Sequence, residues 1–108
     1  MGRDEIPPGT LALLILRTLS RGPLHGYGIA EHIHRISDDV LAVEEGSLYP
    51  ALQRMLVKGW LEASWATTPN NRRARYYRLT ALGTRQLSFE RDRFERVTGA
   101  IARVLQEA

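Results

Sequence analysis

The chain contains no cysteine. That absence excludes disulfides, thiolate metal sites and cysteine nucleophiles together. No stretch approaches the roughly 20 apolar residues needed to cross a bilayer, and no internal repeat or low-complexity segment is present. Histidine is scarce. His32 and His34 stand two apart, so on a helix they diverge and cannot share a metal as i, i+4 pairs do. Glu44 and Glu45 precede a helix start, where the helix dipole accounts for them without catalysis. The serines have no legible His–Asp support. Gly26 and Gly28 lack the strand–turn–helix setting of a dinucleotide fingerprint. No catalytic group, metal or cofactor is therefore expected, and the chain reads as a binding protein rather than an enzyme. Residues 1–9 are polar, without the apolar centre of a signal peptide, and read as a flexible lead. Cytoplasmic residence fits.

What is present suits one compact domain: 108 residues, 44% of them hydrophobic, enough for a modest core. The charge is unevenly spread. Residues 1–60 carry six basic and seven acidic side chains, a balance of −1, whereas residues 61–108 carry nine and five, a balance of +4. No acidic residue falls between Glu62 and Glu90, while five arginines do. Local basicity of this kind points to a binding surface for nucleic acid.

Three helices are expected first. Thr10 caps a segment, Leu11 to Ser20, whose leucines and isoleucine cover nearly the whole circumference. So small a domain is not expected to bury all of it, and a second subunit would, through Leu13 and Leu16. Arg21-Gly22-Pro23 ends that helix. A second carries Ile29, Ile33 and Ile36, and a connection, Ser37 to Gly46, follows with a short extended stretch over Val40–Val43. A third helix is read from Ser47 as N-cap, with Pro50 in its first turn and Gly59 as its stop. Leu48, Leu52, Met55 and Leu56 form its apolar face. Ser47, Pro50, Gln53, Arg54 and Lys58 form the polar face, which suits a major groove.

Residues 60–66 and 74–79 then read as two strands joined by a turn, Thr67 to Arg73. Asn70 and Asn71 tolerate left-handed turn backbone. Arg72 and Arg73 sit at the tip, where they reach phosphates or a narrow minor groove. Arg75 and Arg78 alternate along the second strand, and Arg75 joins the expected DNA-binding residues. After Thr80 as N-cap, a helix from Ala81 to Leu105 would run about 37 Å. Leu87, Phe94, Val97, Ile101 and Val104 follow three- and four-residue steps, the pattern of a two-helix seam. The expected architecture is mainly α with a small β-hairpin: a winged helix-turn-helix over residues 10–80 and a dimerisation helix over 81–108.

The segments Gly22-Pro23-Leu24-His25-Gly26-Tyr27-Gly28, Glu44 to Leu52 and Arg73 to Thr80, taken together, resemble the PadR family of bacterial transcriptional regulators. The resemblance covers Thr10 to Leu105. It implies a winged helix-turn-helix homodimer, built with the C-terminal helix, that represses by binding an inverted-repeat operator in double-stranded DNA. By position, Gly26 and Tyr27 would start the supporting helix near a phosphate. Ser47, Tyr49, Pro50 and Gln53 would face the groove region, and Asn71, Arg72 and Arg73 would form the wing tip. The chain resembles the short members, which have a single C-terminal helix. Some of these trap planar aromatic compounds with a tryptophan on that helix. Here both tryptophans, Trp60 and Trp65, lie in the hairpin, so a small-molecule effector is left open and unidentified. Two other readings stay open: a protein-interaction module with an incidental basic wing, and a dimer whose main task is ligand sensing.

Overall fold

The structure, a computed structural model, describes Ile6, Pro7 and residues 9–107. Helix α1 (Leu11–Leu19) starts after a turn in which the Thr10 N–H donates to the Pro7 carbonyl at 3.1 Å. Thr10 holds the N-cap position, but its side chain makes no capping bond. Leu13, Ile15, Leu16, Thr18 and Leu19 are buried. The remaining apolar side chains of α1, Leu11 and Leu14 among them, are half-buried against the same core, as is Ile6 from the lead. Residues 1–5, most of the expected flexible lead, lie outside the described residues.

Here the sequence expectation needs correction. The circumference of α1 is apolar because α2, α3, β3 and α4 surround it within one chain. Leu16 has no exposed surface and Leu13 keeps 9%. Leu16 thus belongs to the core of the single chain. Burying a leucine fully stabilises by about 1.5–3 kcal/mol, which is reason enough for its presence without a partner.

Gly22, with φ of 144°, turns the chain into a two-residue strand β1 (Leu24–His25), and α2 (Gly26–Ile36) follows directly. His25 caps α2 by accepting a hydrogen bond at Nδ1 from the Gly28 N–H, 2.9 Å away. The α2–α3 connection is an ordered turn. Asp38 and Asp39 take left-handed backbone, the Ser37 hydroxyl accepts from the Leu41 N–H at 3.0 Å, and His34 bridges the Leu41 carbonyl and the Asp39 carboxylate. The extended stretch expected over Val40–Val43 reduces to one isolated β-bridge at Leu41.

Helix α3 runs from Glu45 to Val57, starting three residues earlier than expected. Glu44, not Ser47, is the N-cap residue, and the Ser47 and Leu48 N–H groups both donate to its carbonyl. Pro50 consequently lies inside the helix rather than in the first turn. It has no N–H for the Gly46 carbonyl, and because both residues are exposed, water can satisfy that oxygen. Gly59 ends α3 as anticipated. At φ of 78° it donates to Leu56, while Trp60 donates to Met55, the paired bonds of a Schellman stop.

Strands β2 (Leu61–Thr67) and β3 (Arg73–Leu79) pair antiparallel from Leu61↔Leu79 to Thr67↔Arg73. The sheet has three strands, not two, in the order β1-β3-β2, because Leu24 pairs with Tyr77 and His25 with Tyr76. This ties the root of the hairpin to the start of α2. At the tip, Asn71 adopts φ of 62° and donates to the Thr68 carbonyl. Thr80 caps α4 (Ala81–Leu105) by accepting from the Gly83 N–H at 3.0 Å. Gly83 permits this seat, since a Cβ there would collide with the Trp60 carbonyl. Leu87, expected on the two-helix seam, is instead buried in the chain's own core, and beyond Glu90 every residue to Glu107 except Gly99 is exposed.

The architecture is mainly helical with a small antiparallel sheet, a winged helix-turn-helix followed by one long helix. No helix among the described residues is long and apolar enough to cross a membrane.

Candidate nucleic-acid interface

Helical geometry sorts the side chains of α3 into a buried face and three exposed strips. Leu48, Ala51, Leu52 and Met55 are buried. At 100° per residue, Gly46, Pro50, Gln53 and Val57 lie opposite them and form the outermost line. None carries a charge, and all are exposed, Val57 to 78%. Only the polar members of that line were picked out from sequence. Val57 was not among the residues expected from sequence, although it stands one turn beyond Gln53.

The flanking strips differ. Tyr49 turns toward α2 and the hairpin, where it lines a groove with His25, Gly26, Tyr27 and Trp65. Its ring lies on the first turn of α2, so close that a Cβ at Gly26 would fall 2.6 Å from the hydroxyl oxygen. Tyr49 is nonetheless 45% exposed, which settles its placement as the rim of the groove rather than the core. Burial first, then the Glu45 carboxylate and Tyr77, raise its pKa above the usual tyrosine value, so the hydroxyl stays a donor at neutral pH.

Arg54 and Lys58 turn the other way. They border a cleft with Leu11, Trp60, Glu90 and Arg93, at the junction of α1, α3 and α4. Lys58 lies over the Trp60 ring, 4.7 Å from its centroid, and Glu90 is already held by Arg93 at 2.7 Å and Gln86 at 2.8 Å. Ser47 falls on this flank by helical geometry. The five polar residues taken from sequence as one face are therefore two surfaces: Pro50 and Gln53 in front, Ser47, Arg54 and Lys58 to one side.

The hairpin separates its arginines in the same way. Trp65 and Arg75 are cross-strand partners, as are Thr67 and Arg73, and these side chains share the inner face with Tyr77. Arg72, Arg73 and Arg75 line the groove opposite Tyr27 and Tyr49. None of the three is in an ion pair among the described residues. Arg78 lies on the outer face, where Nε and Nη2 donate to Oε1 of Glu62 at 3.1 and 2.7 Å. Sequence alternation puts Arg75 and Arg78 on opposite faces without saying which face is inner. The register and one carboxylate make them different. Glu31 also lines the groove, an acidic point on an otherwise cationic wall.

The result is an uncharged helix line with cations on both sides, Arg72, Arg73 and Arg75 beyond one flank and Arg54 and Lys58 along the other. Two histidines serve the fold: His25 caps α2 and His34 pins the α2–α3 turn. His32 is held below its ordinary pKa by burial and then by Arg35, Arg21 and Arg17.

The PadR-like family of transcriptional regulators matches residues 15–88 of this chain, from the middle of α1 through the hairpin into α4. A relative from Lysinibacillus sphaericus, named only as Uncharacterized protein X, is 32% identical over 88 residues, which are 82% of this chain and 81% of that protein. A solved transcriptional regulator from Clostridium thermocellum is similar with a TM-score of 0.80 at 25% identity, over 88% of this chain and 92% of that one. A PadR-like transcriptional regulator from Bacillus cereus is similar with a TM-score of 0.79 at 26% identity, over 93% and 95%. The matched span contains all of α3 and the whole wing, and the chain belongs to the PadR-like family of DNA-binding transcriptional regulators.

Proposed function

We propose that this regulator is a homodimeric repressor of the cytoplasm that occupies an inverted-repeat operator. In this reading residues 10–80 form the DNA-binding unit and residues 81–108 the dimerisation helix. The observation that carries it is the bare stripe on α4. Phe94, Val97, Ile101 and Val104 are 44%, 49%, 55% and 67% exposed, and helical spacing puts all four on one side. Exposed apolar surface in so regular a line marks an association surface. Two recognition helices held about 34–36 Å apart read successive turns of one DNA face, which is why a dimer calls for a two-fold operator.

Within each half, Pro50 and Gln53 enter the major groove, with Tyr49 and Ser47 at its walls. Gly26 and Tyr27 approach one phosphate strand from the start of α2, and Arg54 and Lys58 reach phosphate on the far flank. Asn71, Arg72, Arg73 and Arg75 follow the backbone or the adjacent minor groove.

The test uses duplex DNA from the chain's own upstream region alongside a random duplex. Arg72→Ala with Arg73→Ala is expected to weaken both duplexes together and flatten the salt dependence, because arginines on phosphate displace counterions. Gln53→Ala is expected to weaken the upstream duplex by about 1–3 kcal/mol more than the random one, since amides read base edges. The reverse pattern would exchange the roles of helix and wing. Loss of upstream promoter silencing in a reporter, on deleting the protein, tests repression.

A further inference from the structure

Trp65 is 61% exposed, so it contributes little to the core. The Arg73 guanidinium lies over its ring, 5.7 Å from the centroid. One step nearer the body, the Arg75 guanidinium lies over Tyr77 at 5.8 Å. The register gives the order along the inner face of the wing as Thr67/Arg73, Trp65/Arg75, Ala63/Tyr77. Each arginine thus leans back by one step onto an aromatic ring instead of extending into water. Both distances are within the reach of a cation–π attraction.

We propose that Trp65 is a positioning residue for DNA binding, whose indole face holds the Arg73 guanidinium pre-aimed along the groove wall, with Tyr77 doing the same for Arg75. This rests on the reading of the wing as a DNA-binding surface.

The contrast with Arg78 gives the physical reason. Glu62 restrains Arg78 through its N–H groups and cancels its charge. A ring restrains a guanidinium through its flat face, leaving the charge intact and the N–H edge free for phosphate oxygens. Arginine loses much rotamer freedom when it docks, and a side chain already held loses less. The inner face therefore keeps arginines ordered and available, while the outer face keeps one ordered and spent.

The experiment measures affinity of the full chain for a random-sequence duplex across a salt series. The variants are Trp65→Phe, Trp65→Leu, Arg73→Ala and the double variant Trp65→Leu with Arg73→Ala. Leucine keeps apolar bulk without a π face, whereas phenylalanine keeps a π face. Trp65→Leu is expected to weaken binding by a factor of about 2–5 per wing. The salt slope should fall by up to about 0.9 for each phosphate that the wing no longer neutralises. Trp65→Phe should retain most of the affinity, and Trp65→Leu should add little once Arg73 is already alanine.

Equal losses from Trp65→Leu in both backgrounds, or equal losses from Phe and Leu, would overturn the inference while leaving the wing reading in place. An Arg73→Ala variant with unchanged affinity and salt slope would remove the wing reading, and the inference with it. Circular dichroism and melting are expected to show all four variants folded. Unfolding of Trp65→Leu would also overturn the inference, by making the indole a structural residue.

Discussion

Helix α1 and the distal half of α4 are both marked by apolar side chains that sequence assigned to a subunit interface, yet they meet opposite fates. In α1 the side chains are enclosed by four other elements of the same chain, and Leu16 is wholly buried. In α4 the stripe from Phe94 to Val104 keeps 44–67% of its surface exposed. The difference lies in what surrounds each helix, not in how apolar it is. α1 is more apolar than α4, and for that reason it makes the centre of the core. A helix that is apolar all round is buried on all sides, whereas one with a narrow apolar stripe and charged flanks can face water over most of its surface.

The sharpest way to separate the two regions is by what their truncation removes. Leu16→Ala is expected to lower folding stability by about 2–5 kcal/mol, since it opens a cavity where no surface is exposed. Chemical denaturation would read that loss, and sedimentation of the still-folded fraction should show the assembly state unchanged. Dissociation without loss of stability would return Leu16 to the interface and break the comparison.

Leu13 stands between the two cases. It keeps 9% of its surface and lines a groove with Phe94, Val97 and Ile101 on α4. Leu13→Ala should cost roughly 2 kcal/mol of stability, the low end for leucine truncation, and should also weaken dimerisation measurably. An effect on stability alone would draw the boundary of the interface along α4 and exclude α1 altogether.

The comparison also shows which features were legible in the sequence. Local chemistry was readable. Gly59 stops α3, Thr80 caps α4, and Asn71 takes the left-handed turn position, each through bonds within a few residues. The arginines at the wing tip were readable because the turn composition fixes their place. What escaped depended on distant neighbours. Strand β1 is two residues long and exists because Leu24 and His25 meet Tyr77 and Tyr76, some fifty positions away. The start of α3 was placed at Ser47 because serine is the better N-cap by propensity, but the helix begins under the carbonyl of Glu44. Arg54 and Lys58 were rightly seen as exposed. Which flank they occupy is set by where α1 and α4 pack, and no period within α3 contains that. The inner and outer arginines of β3 separate once the register is known and Glu62 is found opposite Arg78.

The central claim is that the bare stripe of α4 joins two copies and thereby spaces two recognition helices. Phe94→Asp with Ile101→Asp tests it most directly, because both side chains are exposed in the single chain and so should not be needed for its fold. Placing carboxylates there is costly only if a partner excludes water. Sedimentation is expected to show a monomer with near-native circular dichroism and with binding to the upstream duplex lost. A folded double variant that remains dimeric and still binds would contradict the account and place the interface elsewhere.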